Sequence, residues 1–219
     1  MIVTLSGLER DSARPLYEQL LRLRYDIFVG QLQWSIPTRD HMDVDEYDCN
    51  EAFYFFERAD DGRIWSHVRV TPADQRSLLA DTFGHLVDPQ FNAREPTTME
   101  CTRFIVRPHD GRRTTKRKLE SELFAAVVDF CMQRGFTFLQ AVLDTSLLST
   151  FLEMAPQSFA LGLSAPCGGG PDAPGGGNVM AVRCPVNERT LRHVKDYGRL
   201  LTPQLGTCGS GFGIPDSIA

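Results

Sequence analysis

The sequence has no run approaching the roughly 18 consecutive apolar residues of a transmembrane helix, so no membrane span is expected. Its first residues, MIVTLSGLERDSARP, lack the basic, apolar and small-residue segments of a secretory signal peptide, and the expectation is a cytoplasmic protein. Paired cysteines are missing as well. Cys49, Cys101, Cys131, Cys167, Cys184 and Cys208 form no C-x-x-C motif, and no histidine stands at zinc-ligand spacing, so no metal centre is expected. In a reducing compartment they read as free thiols, with a nucleophilic cysteine the weaker alternative. Basic charge is not in excess: the net charge is −5, which argues against nucleic-acid binding by phosphate neutralisation.

What is present suits one sizeable core. The chain has 219 residues, 42% of them hydrophobic, and reads as a single domain over 1–219. Residues 14–29 carry Leu16, Leu20, Leu23 and Ile27 at helical spacing, with Asp11 or Ser12 as the cap and Pro15 in the first turn. Residues 30–50 are polar and irregular and read as an ordered loop. Strands are expected over Ala52–Ala59, Ile64–Val70 and Met99–Val106, the first two joined by a hairpin turn at Asp60-Asp61-Gly62. A helix over 117–134 should stop at Gly135, followed by a strand Phe136–Leu143 covered on both faces and a short helix Leu147–Met154. The segment 164–177, SAPCGGGPDAPGGG, reads as a loop with no means of packing. A strand over Asn178–Pro185, a helix over Arg189–Tyr197 and a Gly-rich, mobile tail from Pro203 complete the chain. This order suggests an α/β/α layered domain.

Polar and aromatic residues of unusual kind gather between positions 24 and 103. Arg24 and Phe28 lie four apart on the first helix and project to one side. Trp34 follows, then Asp45 and Asp48 in MDVDEYD, Arg69 late in the second strand, and Glu100 and Arg103 in the third. Taken singly, each has an ordinary reading as surface arginine, core aromatic or loop acid. Glu100 and Arg103 are less ordinary, because charges inside an apolar strand are costly to bury unpaired. Their spacing of three puts them on opposite faces of a regular strand, so a bulge or separate partners is required if both line one site.

The pattern Arg24-x3-Phe28-x5-Trp34, Asp45-x2-Asp48, Arg69, Phe83 and Glu100-x2-Arg103-Phe104 resembles the signature of LuxI-type autoinducer synthases, in order and spacing across about 80 residues. The resemblance implies a GNAT-like acyltransferase fold with a twisted, V-shaped mixed sheet. It implies an acyl-homoserine-lactone synthase, which takes an acyl group from acyl-carrier protein or acyl-CoA and joins it to S-adenosylmethionine. Methylthioadenosine then leaves as the lactone closes, giving a quorum-sensing signal. S-adenosylmethionine is a substrate, and no cofactor is expected.

The residues suit that chemistry. Phe28 and Trp34 can hold a sulfonium by cation–π attraction. Arg103 or Arg24 can bind the carboxylate as a bidentate fork, and Asp45, with Asp48, the ammonium. Arg69, Asp45 and Asp48 have a second reading, a buried ion network supporting the loop. Glu100 is the candidate base that removes the amine proton, held on its strand and kept ionised by arginine neighbours. Backbone donors around Phe104–Val106 are candidates for an oxyanion hole.

The resemblance places the acyl chain along the strand at Leu139, Ala141, Leu143 and Thr145. Asp144 or Thr145 reads more simply as the cap of the next helix. The cluster Arg112, Arg113, Lys116, Arg117 and Lys118 is the one dense basic patch, suited to an acidic acyl-carrier protein or to the phosphates of CoA. The sequence departs from the family at Ala155–Phe159, where many members have Gly-Trp, and at the Gly-rich loop. Two rivals remain at this level. One is a GNAT-like N-acyltransferase using acyl-CoA and another amine, for which His109–Thr115 is a poor pyrophosphate loop. The other is a non-catalytic sensor of S-adenosylmethionine or a lactone.

Overall fold

The structure, a computed structural model, describes residues 1–168 and 176–199. Strand β1 is Ile2–Ser6, and helix α1 is Arg14–Arg24. The short strands β2 (Thr38–Arg39) and β3 (Met42–Asp43) pair with each other. Strands β4 (Phe53–Arg58) and β5 (Ile64–Pro72) are followed by helix α2 (Leu78–Thr82) and strand β6 (Thr98–Val106). Then come helix α3 (Arg113–Gln133), strand β7 (Phe138–Asp144) and helix α4 (Leu148–Met154). Strands β8 (Phe159–Ala160), β9 (Ala165–Cys167) and β10 (Gly177–Pro185) precede helix α5 (Glu188–Arg199).

One mixed sheet runs β1-β4-β5-β6-β7-β10-β8, with β9 also on β10. All its pairs are antiparallel except β6 with β7. That parallel pair is brief. Thr98, Met99 and Glu100 match Phe138, Leu139 and Gln140, and beyond them the strands are no longer paired. The sheet therefore opens into the expected V, with its apex at Glu100.

Alternation along the strands sends side chains to two cores. On β4, Phe55 joins Val68, Val70, Met99, Leu123, Val127 and Leu139 under α3, with Val194 and Tyr197 of α5 on the same side. Tyr54 and Phe56 point the other way and pack with Leu5, Leu20 and Ile64 under α1. A third cluster of Leu79, Leu86, Leu161 and Ala181 lies at the far end of the sheet. Helices on both faces give the α/β/α layering. Among the described residues no helix is long and apolar enough to cross a membrane.

Several local expectations change. Ile2–Ser6 is an edge strand, because it finds β4 as a partner and needs little burial of its own. Neither Asp11 nor Ser12 caps α1: Ala13 holds that position without a side-chain cap, and the Ser12 hydroxyl donates to the Glu9 carbonyl at 2.9 Å. Helix α3 starts at Arg113, four residues early, because Asp110 organises the turn before it by accepting from the Arg112 N–H (2.9 Å) and the Thr115 hydroxyl (2.8 Å). Gly135 does stop α3, at φ +77. The stretch read as unable to pack contributes β9, which pairs with β10 at the far side of the loop. Residues 169–175, Cys208 and the tail from Pro203 lie outside the described residues. The five described cysteines are free, and burial pushes the Cys131 thiol up to about 12 and that of Cys184 up to about 11, far from thiolate chemistry.

Candidate active site

The last turn of α1 widens into a π-type turn over Tyr25–Gln31, a form that recurs at functional sites. It leaves Phe28 buried against Trp34, the two rings stacked at 4.7 Å, and carries the Arg103 guanidinium 5.3 Å from the centre of the Phe28 ring. Gln33, Asp40 and His41 take left-handed conformations that let the chain turn back through β2 and β3. The returning segment lays Asp43, Asp45 and Asp48 beneath the end of α1.

There they meet three arginines. Arg24 is fully buried and gives Nε to Asp43 (3.0 Å) and both terminal nitrogens to Asp48 (2.7 and 3.1 Å). Arg69, also fully buried, gives Nε to the Thr102 hydroxyl (2.9 Å) and two nitrogens to Asp45, one at 3.0 Å. Arg103 gives Nε to Asp43 (2.6 Å) and Nη2 to Asp43 and Asp45 (3.1 Å each). Tyr54 and the Asp45 N–H donate to the two oxygens of Asp48, each at 3.1 Å. Three cations face three anions in a water-poor layer. The arginine charges hold Asp43 and Asp48 below the usual carboxylate range, against the opposing effect of burial. Beneath them buried His67 stays neutral, pushed down to about 3 by burial and by the charge of Arg24.

The second reading of Asp45 and Asp48 has geometry behind it: their oxygens accept from arginines, from Tyr54 and from backbone N–H groups, which makes them part of the loop's ion network. Arg24 likewise has every nitrogen engaged within the network and no exposed surface. Arg103 differs. Its Nη1 makes no hydrogen bond among the described residues and its side chain is 7% exposed, at the edge of the network. Asp43 escaped the sequence reading, although it stands two residues before Asp45 in the same acidic loop and binds two arginines.

The bulge needed for Glu100 and Arg103 is present. Arg69 opposes Thr102 and His67 opposes Ile105, so Arg103 and Phe104 together face Val68 alone, and Arg103 takes φ +56. The bulge turns Arg103 toward the network and leaves Phe104 39% exposed. Glu100 sits one turn of the pleat earlier, 1% exposed, on the same face of the sheet as Arg69. The Ser77 hydroxyl donates to its Oε2 at 2.6 Å, the Leu79 N–H to its Oε1 at 2.9 Å, and the Gln140 amide to Oε2 at 3.3 Å. Burial pushes the Glu100 carboxyl up, and these three donors offset part of that; the charge of Arg69 adds least. The expectation that arginines hold Glu100 ionised is thus corrected, because helix α2 and Gln140 supply the partners instead. Ser77 and Gln140 were not singled out in the sequence, and a lone serine and glutamine carry no signal there.

Other named residues are dispersed. Phe83 ends α2 and packs partly buried beside Leu79 and Leu86. Leu139 is in the core under α3, with Ala141 against it, and Leu143 follows on the same side of β7, whereas Glu100 and Gln140 occupy the opposite face. Thr145 begins the turn after β7, and Asp144 is its cap, accepting from the Ser146 N–H at 2.8 Å. In the basic patch Arg117 packs 3.9 Å over the Tyr197 ring and pairs with Glu153, while Lys116 and Lys118 pair along the helix with Glu120 and Glu122. Arg112 and Arg113 remain exposed at the helix start.

Comparison with known proteins agrees with this geometry. The autoinducer synthase family profile matches residues 9–168. An isovaleryl-homoserine lactone synthase of Bradyrhizobium diazoefficiens is 32% identical over 168 residues, spanning 75% of this chain and 74% of the relative. An acyl-homoserine-lactone synthase of Rhizobium etli is 27% identical over 166 residues, 75% of this chain and 77% of the relative. The solved structure of BjaI, a CoA-dependent acyl-homoserine lactone synthase with SAM and isopentyl-CoA, superposes with a TM-score of 0.77 at 28% identity, over 91% of this chain and 89% of that one. A putative N-acetyltransferase from Lactobacillus plantarum shares the fold, at TM-score 0.50 and 16% identity over 85% and 98% of the two chains. With the arginine–aspartate network, the split sheet and these matches in agreement, the chain belongs to the autoinducer synthase family, acyltransferases that make acyl-homoserine lactones.

Proposed function

We propose that this enzyme acylates the amine of S-adenosylmethionine at the split between β6 and β7 and then closes the lactone, with Glu100 as the base and acyl-CoA as the donor. The observation that carries this is a buried carboxyl with a raised proton affinity at the apex of a V-shaped sheet, three residues before an arginine of the same strand with one nitrogen left over.

A free α-ammonium has a pKa near ~8 and is not nucleophilic until it loses its proton. Glu100 takes that proton, directly or through one water. The amine nitrogen attacks the thioester carbonyl, the C–S bond breaks, and CoA thiolate departs. Past Glu100 the edge of β6 that faces β7 has no strand partner among the described residues, so its backbone N–H groups are available to the tetrahedral oxyanion. In the second step the carboxylate oxygen attacks the γ-carbon and the sulfonium leaves as methylthioadenosine.

Arg103 binds the carboxylate end-on through Nη1, since Nε and Nη2 are already committed. Trp34, 38% exposed, supplies the aromatic face for the sulfonium, because Phe28 behind it is buried. For the donor, support comes from BjaI and from the start of α3. There Arg112 and Arg113 stand at the first turn of the helix, where the Arg112 N–H is taken by Asp110 and, among the described residues, no side chain caps the turn, an arrangement suited to a pyrophosphate.

The test is product formation from S-adenosylmethionine and matched acyl-CoA and acyl-carrier-protein thioesters, read by mass spectrometry. A lactone and methylthioadenosine should appear in equal amounts with acyl-CoA, and Glu100→Gln should lower kcat by ~10²-fold or more. Turnover only with the carrier protein would overturn the donor, and full activity in the variant would overturn the base.

A further inference from the structure

Arg183 on β10 is buried, yet among the described residues no carboxylate lies within ion-pairing distance of it. Its Nη2 donates to the Asn92 carbonyl (2.7 Å) and to Oε1 of Gln140 (2.8 Å), its Nε is buried without a partner, and its guanidinium lies 5.6 Å from the centre of the Phe138 ring. Burial lowers its proton affinity, which Glu95 partly restores. An unpaired buried cation is costly, and its two hydrogen bonds go to neutral acceptors that do not balance the charge. Among the described residues its one side-chain hydrogen-bond partner is Gln140, the residue that reaches Glu100.

The chemistry of that contact is directional. An arginine only donates, so the Gln140 atom that meets it must be the carbonyl oxygen. The amide nitrogen of Gln140 is then turned the other way, where it donates to the Ala93 carbonyl at 2.8 Å and to Glu100 Oε2 at 3.3 Å. Without Arg183 the amide oxygen loses its donor, and only the Ala93 carbonyl is left to hold the N–H on the side of the carboxylate. Cross-strand pairing of Arg183 with Gln140, and of Gln140 with Glu100, places all three in one row across β10, β7 and β6.

We infer that Gln140 and Arg183 are positioning residues for Glu100, Arg183 fixing the Gln140 amide so that its N–H always faces the carboxyl. The inference rests on the reading of Glu100 as the base. The charged and polar groups facing Glu100 are Ser77 and the Leu79 N–H from the α2 side, Arg69 from β5 and Gln140 from β7. Removal of the Gln140 donor therefore leaves the others in place and disfavours the carboxylate.

The test is to follow the Glu100 side-chain carboxyl by carbon NMR against pH in the full chain, alongside the pH profile of kcat/KM. In Arg183→Met and Gln140→Met the Glu100 midpoint should rise by about one pH unit. The acid limb of the profile should rise with it, while KM for S-adenosylmethionine stays within about twofold, since Arg103 is untouched. Arg183→Lys, which keeps a donor, should recover most of the shift. A midpoint unmoved in both methionine variants would overturn the inference while leaving Glu100 as base. If the midpoint moves but Glu100→Gln remains fully active, the base reading fails instead. Should Arg183→Met not fold, Gln140→Met decides alone.

Discussion

Replacing Arg24 by methionine keeps the length of the side chain but removes one cation from a balanced set of six. Asp48 loses two donors, at 2.7 and 3.1 Å, and Asp43 loses one at 3.0 Å. Both acids are buried, so two arginines are left to hold three carboxylates out of water. Breaking a buried ion pair from one side costs about 3–5 kcal/mol. For a chain of this size each kcal/mol moves the midpoint of thermal unfolding by roughly 2–4 °C, so Tm should fall by ~6–20 °C. Circular dichroism and urea titration measure this directly. KM for S-adenosylmethionine, taken well below the lowered Tm, should change less than about threefold, since Arg24 presents no free nitrogen. Arg103→Met is the contrast, because Arg103 sits at the network's edge and has a nitrogen to spare. Its KM should rise by about tenfold or more, which corresponds to losing one charge-assisted hydrogen bond. If Arg24→Met raises KM as much as Arg103→Met with little loss of Tm, the structural reading of Arg24 is wrong.

Acid provides a second check on the network. Asp43 and Asp48 have folded-state values below the ordinary ~3.9, so their stabilisation is complete above that pH and is lost as pH falls toward the folded values. Asp48→Asn should be less stable than wild type at pH 7, with the gap narrowing as pH falls below about 4 in denaturant titrations. Glu100 behaves in the opposite sense. Burial raises its value, so the acid limb of kcat/KM should lie above the ordinary ~4.3 of glutamate, and a limb at or below that value would contradict the site as drawn. Charge reversal at Arg112 and Arg113 should raise KM for acyl-CoA without altering Tm, whereas Arg117→Ala should lower Tm by removing its contacts with Tyr197 and Glu153. Equal effects on the donor from all three would refute that division.

Much of this protein was legible in its sequence because its signals are local. Alternation in Phe53–Arg58, the Asp60-Asp61-Gly62 turn and the helical stripe ending at Gly135 depend on near neighbours, and each element formed where its pattern lay. The pattern from Arg24 to Phe104 carried the family, because so many charges and large aromatics in one order and spacing are a specific match. What each member does was decided elsewhere. Arg24 and Arg103 look alike as letters, yet one ends α1 with every nitrogen engaged and the other sits on a bulge with one nitrogen over. Glu100 takes its donors from residues 77, 79 and 140, brought together by sheet pairing and not by spacing. Proton affinity and hydrogen-bond capacity depend on burial and on which partners are already taken, and those are properties of the folded layers alone.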